Sequence, residues 1–462
     1  MKDIKILFLM IDMFNDMNTI FRTIQQKGTK LDLIDLPYNC IFNKKITGCG
    51  GTTIVAYNSE DYVIAVPTKE LIINKTGLDE PGISVTRSYK GTEIEVIGLF
   101  NTFSYDLKKL VKEYSKKSGP KKIFCTYDKI NALASILDLK QWRLLVDEYQ
   151  VLLKAYSYRD KAINGIIQNF KKFKSYCFMS ATPIPSDFKP DFLKQIPEYE
   201  VEWDKLDKTT VELIETNKPY ITASNIINRF LSEGMTLNNE RVEELFFFLN
   251  SVKGISAIIN HCKLNPNLVK IVCADTDSNK EKLAGYRITN SRSPNKPITF
   301  ITSKSFEGAD YFSDKGVCFV ISNSGESQTQ ADIATDIYQI AGRIRTETNP
   351  FRNKIYHIYN TTGSLKLNLN LIYEDMKKLV KEEEDGANAI LKVINSNENA
   401  KKIASKMINE AYIILEGDKY VLNDSLIKLE LFNYNINQQI YKNGISLASN
   451  YQSNGIEVTN TT

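Results

Sequence analysis

The sequence predicts an α/β protein made of two doubly wound parallel-sheet lobes and a mainly helical C-terminal extension. Three observations carry that expectation. Short, almost wholly apolar runs alternate with stretches of three-to-four apolar spacing, the pattern of strands buried on both faces with helices packed over them. The alternation occurs once between residues 40 and 200 and again between 245 and 359. At 462 residues the chain also exceeds what one hydrophobic core ordinarily serves.

Taken in order, the runs at 62–66, 94–97, 122–125, 143–146 and 176–179 read as strands of a first sheet, and 105–115 and 162–173 as helices on it. An irregular stretch around 204–220 separates the cycles. The second lobe has strands at 245–249, 270–273, 298–302 and 317–321, a helix from about 328 to 345, and a last strand at 355–359. The expected boundaries are 1–205, 206–365 and 366–462. In the last segment the basic and acidic residues of 377–385 form a solvated helix face, ahead of an Asn/Gln-rich end from 433 to 462. Its role is not readable.

The bulk chemistry narrows the classes. With 42% apolar and 25% charged residues the composition is that of a globular protein, not of a fibrous or disordered one. The net charge of +4 permits a local basic face for a polyanion without requiring one. Seven scattered cysteines, odd in number and never in a C-x-x-C pair, read as reduced and mostly buried, which fits a cytoplasmic protein. With only His261 and His357, a zinc site is not expected, and both histidines read as structural. The apolar start at 6–11 is stopped by Asp12 and Asp16 and reads as a buried element rather than a signal peptide. No run is long enough to span a membrane.

Chemistry concentrates in a few short words. Gly48-Cys49-Gly50-Gly51-Thr52-Thr53 is a glycine-rich turn of the kind whose backbone N–H groups can approach a phosphate. Asp147-Glu148, at the end of an apolar run, can hold Mg²⁺ and polarise a water. Ser180-Ala181-Thr182-Pro183 follows the next run. In the second half stand Ser305-Phe306-Glu307-Gly308-Ala309-Asp310 and Gln339-Ile340-Ala341-Gly342-Arg343-Ile344-Arg345.

In this order the words resemble motifs I, II, III, V and VI of the superfamily 2 helicases, across roughly three-quarters of the chain. The resemblance implies two RecA-like lobes closing on ATP and Mg²⁺. Residues 48–53 with Gly308 and Asp310 would bind nucleotide, Thr52 and Asp147 the metal, and Glu148 would be the base. Gln339, Arg343 and Arg345 would act from the second lobe, either arginine being the finger, and Ser180 and Thr182 would couple the lobes. Pro67, Thr68, Thr126, Asn250, Ser251 and Thr302 stand where strand-contacting motifs belong. The closest likeness is to DNA helicases of phage and large-DNA-virus type. That implies DNA, with RNA as the other strand class, replication proteins as further partners, no membrane, and the host cytoplasm as the location.

The departure is Gly51, which stands where the family has its phosphate-binding lysine. Lys45, ahead of Lys44 and Lys69, is expected to supply the missing ammonium. Two rival functions share the motifs: a pseudo-helicase that binds nucleic acid with little ATPase, and a remodelling translocase that does not unwind.

Overall fold

The computed structural model describes residues 21–88, 91–205, 208–306, 309–363, 368–394 and 412–459. The first sheet has nine strands: β1 (Phe21–Gln26), β2 (Cys40–Asn43), β3 (Tyr62–Val66), β4 (Gly82–Arg87), β5 (Glu93–Leu99), β6 (Lys122–Thr126), β7 (Arg143–Asp147), β8 (Ser175–Ser180) and β9 (Glu198–Trp203). Their spatial order is β1-β9-β2-β8-β7-β3-β6-β5-β4. Every neighbour pair is parallel except the β4–β5 edge. The central strands are apolar on both faces because both faces are covered, which is why they read as continuous runs.

The second lobe adds β10 (Thr210–Glu215), a hairpin of β11 (Met235–Leu237) and β12 (Glu240–Val242), β13 (Glu244–Phe248), β14 (Val269–Val272), β15 (Ile288–Thr289), β16 (Ile298–Ile301), β17 (Gly316–Ser322) and β18 (Lys354–Tyr359). The extension contributes a hairpin of β19 (Ile413–Glu416) and β20 (Lys419–Leu422), and a last strand, β21 (Glu457–Thr459). The second sheet is parallel throughout, in the order β15-β14-β16-β13-β17-β18-β10-β21. Phe247 stacks between Phe300 and Phe319, with ring centroids 5.4 and 5.0 Å away. Removing such a buried ring costs about 3–5 kcal/mol. The chain is thus α/β, with two parallel-sheet lobes and a mainly helical extension.

The structure departs from the sequence reading where local and tertiary signals compete. Strands β1, β9 and β10 went unrecognised because they mix charged and apolar residues near sheet edges. The stretch expected as one helix over 162–173 is a helix at Tyr156–Asn169 followed by a 3₁₀ turn. The expected helix over 328–345 is a π-helical turn, Ile333–Ile337, running into a helix at Tyr338–Ala341 that stops at Gly342. Gly342 lies against Thr47 of the first lobe, where a Cβ would collide with the threonine hydroxyl. Ile344 then forms a parallel bridge with Tyr311, so Arg343 and Arg345 lie on extended chain.

The extension ties the lobes together. Its helix at Asp424–Asn435 meets the first lobe through Asp424, which accepts from the Asp191 amide at 2.8 Å, and through Phe432, edge-on to Phe188 at 5.4 Å. Farther along, the Tyr451 hydroxyl hydrogen-bonds His357 Nδ1 at 2.7 Å in the second lobe, and β21 extends that lobe's sheet beside β10. In the helix at Leu369–Ile394 the charged run is solvated except for Glu384, which is buried and paired with Lys381. The apolar start at 6–11 lies outside the described residues. Among the described residues no helix is long and apolar enough to cross a membrane.

Candidate active site

Strand β8 lies between β2 and β7, so three carboxyl ends meet at one edge of the first sheet. Asn43 is opposite Ser180, and Met179 opposite Asp147. Ligands on such sheets bind outside these strand ends.

From β2 the chain turns through residues 44–50. Lys44 is pinned by its own amide to Ser180 O (2.9 Å) and by Trp203 Nε1 to its carbonyl (3.0 Å). Gly48 and Gly50 adopt φ of +71° and +96°, conformations that side chains resist. Cys49 between them is buried, and burial raises its thiol pKa. Gly51 opens a short helix that carries Thr52 and Thr53. A Cβ at Gly51 would lie 2.5 Å from Met179 Sδ, so that thioether fills the space from which a lysine at 51 would start.

Thr52 Oγ1 donates to Asp147 Oδ2 at 2.8 Å. Glu148 follows at φ +53°, a left-handed conformation that costs a non-glycine residue of order 1 kcal/mol or more. Tyr127 OH reaches both carbonyls of the pair, at 2.6 Å (Asp147) and 3.0 Å (Glu148). Lys44 Nζ lies 3.5 Å from Asp147 Oδ1 and 3.4 Å from Glu148 Oε1. Lys45, which the sequence favoured, adopts φ +57° and pairs with Glu200, away from the carboxylates. The ammonium at the acidic pair belongs to Lys44.

The cluster's electrostatics follow from its composition. Burial pushes the Asp147 pKa up and Lys44 pulls it down, but the like charge of Glu148 adds to burial and the carboxyl ends above its ordinary value. Burial likewise works against Glu148, yet Lys44, the Gln150 amide and Arg343 together hold it below its usual range. Burial opposes the charge on Lys44, and the two carboxylates outweigh it, so its pKa is raised. Lys75 is exposed, yet neighbouring protein desolvates it enough to lower its pKa despite the pull of Asp147 and Asp310.

The second lobe completes the site. Gln339 Nε2 donates to Glu148 Oε2 (2.9 Å) and to Thr182 Oγ1 (3.1 Å), while the Thr182 amide donates to Ser180 Oγ (2.8 Å). Arg343 is buried and committed: Nε to Gln339 O (2.7 Å), Nη2 to Gln339 Oε1 (2.8 Å), Nη1 to Ala309 O (3.1 Å). Arg345 pairs with Asp310 at 2.7 Å and points Nη1 at Thr47 Oγ1 (3.5 Å), over the face of Gly48. Beside these contacts Lys154 pairs with Asp336 across the lobes. Gly308 lies outside the described residues.

The residues expected to touch a nucleic-acid strand fall into two sets. Asn250, Ser251 and Thr302 line one cavity of about 490 Å³ at the carboxyl ends of the second sheet, with Lys253, Lys282 and Lys304 around it. Ser251 caps the helix at Val252–Cys262 and donates to Glu326 at 2.7 Å. In the first lobe, Pro67, Thr68 and Thr126 follow or end the adjacent strands β3 and β6. Pro67 O accepts from Arg159 at 2.6 Å, and Thr68 Oγ1 is buried without a hydrogen-bond partner. The sequence passed over the roles of Met179, Lys75 and the Lys154–Asp336 pair, because no local pattern marks a contact between residues distant in the chain.

No protein-family model and no curated protein matches this chain. Among solved structures it is similar to Mss116p bound to ssRNA and AMP-PNP (12% identity, 94% of this chain and 91% of that chain, TM-score 0.45). It is also similar to S. cerevisiae Dbp5 bound to RNA and ADP BeF3 (14%, 71% and 80%, TM-score 0.43). A third likeness is to the Mycobacterium smegmatis helicase Lhr bound to ssDNA and AMP-PNP (13%, 70% and 44%, TM-score 0.41). These are distant likenesses of shape. The reading of the site rests on the chain's own geometry.

Proposed function

We propose that the protein is an ATP-dependent translocase or helicase acting on single-stranded nucleic acid, with DNA as its strand. One observation carries the reading. Gln339 of the second lobe bonds Glu148, the acid placed to act on water, and Thr182, at the end of the neighbouring strand. Chemistry at the strand ends is thereby joined to the relative position of the lobes, as a motor requires. Asn250, Ser251 and Thr302, with three lysines around them, offer small polar groups and positive charge suited to phosphates rather than base edges. The DNA preference, and a role in phage- or virus-type replication, rest on the motif resemblance.

The acidic pair also fits a magnesium ion. Two carboxylates share one ammonium, leaving a net negative charge beside the Thr52 hydroxyl. Among the described residues no cluster of three or more His, Cys, Asp or Glu side chains forms a dedicated metal cage. Thr52 and Asp147 would hold that ion, and when bound it would neutralise charge on the phosphates. Glu148 orients a water for in-line attack on the terminal phosphorus and accepts its proton, giving ADP and phosphate. Arg345, which already reaches the glycine loop, stabilises the charge that develops.

The pseudo-helicase reading keeps one supporting observation, the glycine at position 51. The two readings separate on ATPase assays of the wild type and Glu148→Gln, with and without single-stranded DNA or RNA. The motor reading expects turnover that a strand stimulates and that Glu148→Gln abolishes. Turnover indifferent to both strands, or unchanged in Glu148→Gln, would contradict it.

A further inference from the structure

We infer that Lys44 is this chain's phosphate-binding lysine, moved from the end of the glycine loop to its beginning. The inference rests on the nucleotide-driven reading above and deepens it. Two observations at separate positions agree. At position 51 there is no side chain, and Met179 occupies the space where one would begin. At position 44 an ammonium stands at 3.4–3.5 Å from both carboxylates, with only 6% of its side chain exposed.

Three other cations near the loop are directed elsewhere, while Lys75 also feels Asp147 and is the rival the test must exclude. Lys45 binds Glu200, and Lys30 Nζ donates to Gly48 O on the solvent side at 2.7 Å. Arg345 is held by Asp310. Lys44 is anchored at both ends of its backbone unit, through Ser180 O and Trp203 Nε1, so its side chain leaves the strand end in a fixed direction. Burying a lysine between two acids is costly unless the charge is used or fully paired. Here one ammonium serves two carboxylates, and it is the buried cation at the strand ends that an incoming polyphosphate would meet. With nucleotide bound, the Lys44 ammonium would turn from the carboxylates to the outer phosphates, leaving Asp147 to hold a metal with Thr52.

The test is equilibrium binding of fluorescent ATP and ADP analogues, with AMP as a competitor that lacks the outer phosphates. Lys44→Met alone strands two buried carboxylates and can fail to fold, so the decisive pair is Glu148→Gln against Lys44→Met/Glu148→Gln. The double variant carries the same net charge at the cluster as the wild type. Expected are at least tenfold weaker binding of ATP and ADP in the double variant than in Glu148→Gln, with AMP competition unchanged. A Lys44→Met/Glu148→Gln/Gly51→Lys/Met179→Ala variant should then regain part of the loss. Affinities within twofold for Glu148→Gln and the double variant would overturn the inference, as would a comparable loss from Lys75→Ala with Lys44 intact. If wild type and Glu148→Gln both bind no nucleotide, the nucleotide-driven reading itself has failed, a result distinct from either.

Discussion

Gln339 and Glu148 stand 191 positions apart in sequence, and their side chains meet at 2.9 Å across the lobes. The same Gln339 amide nitrogen lies 3.1 Å from Thr182 Oγ1, so one side chain of the second lobe spans two neighbouring strand ends of the first. Because Arg343 in turn holds the Gln339 oxygen and carbonyl, the amide is fixed in orientation rather than free to rotate. Under the proposed function, this geometry makes lobe position a condition of catalysis.

Replacing Gln339 by alanine should remove that condition without touching the glycine loop proposed to hold phosphates. Turnover should fall about 10–100-fold while nucleotide affinity stays within about threefold, the pattern of an interaction needed in the transition state more than in binding. Steady-state ATPase and equilibrium titration read the two quantities. An equal loss in both would place Gln339 in nucleotide binding instead.

The two arginines should separate by phenotype. Arg343 is buried and its guanidinium satisfies three oxygens, so Arg343→Ala should cost about 2–4 kcal/mol of stability in chemical denaturation. Arg345 is partly exposed, with one strong ion pair, and its loss should cost under about 1 kcal/mol while removing most strand-stimulated turnover. The assignment fails if Arg345→Ala turns over normally and Arg343→Ala is stable but inactive.

Much of this site was legible because its words lie at strand ends, and apolar runs before Asp147 and Ser180 mark those ends plainly. What stayed hidden depends on partners distant in sequence. The choice between Lys44 and Lys45 turns on Glu200, which captures the second. The stop at Gly342 turns on Thr47, and the extended course of Arg343 and Arg345 on the bridge from Ile344 to Tyr311. Strands β1, β9 and β10, at or next to sheet edges, escaped because partial exposure dilutes their apolar pattern. The extension's strand β21 gave no signal of its own.

His357 provides a pH test of how the extension is seated. It is fully buried, with Ser322 Oγ at 3.0 Å on Nε2 and the Tyr451 hydroxyl at 2.7 Å on Nδ1, and burial lowers its pKa to about 3. The unfolded ring takes a proton near pH 6.5, so between about 6.5 and 3 the unfolded state binds more protons and stability falls as pH drops. Asp332, raised to about 6 by burial and Asp336, acts in the opposite sense, its contribution being present at acid pH and lost above about 6. Comparing wild type with His357→Gln isolates the histidine. Thermal midpoints of the wild type should drop more steeply between pH 6.5 and 4 than those of the variant. Parallel profiles would show that the ring is protonated in the folded protein.

The most direct test of the central claim is the ATPase rate of the purified full chain against single-stranded DNA concentration, for wild type, Glu148→Gln and Arg345→Ala. The account predicts a saturable rise in the wild type, no turnover in Glu148→Gln, and a largely flat response in Arg345→Ala. Weakening of the rise with added salt is also expected, since phosphate contacts release counterions. DNA that binds equally well with and without an ATP analogue, and that never raises hydrolysis, would contradict the account and leave a nucleic-acid-binding module in its place.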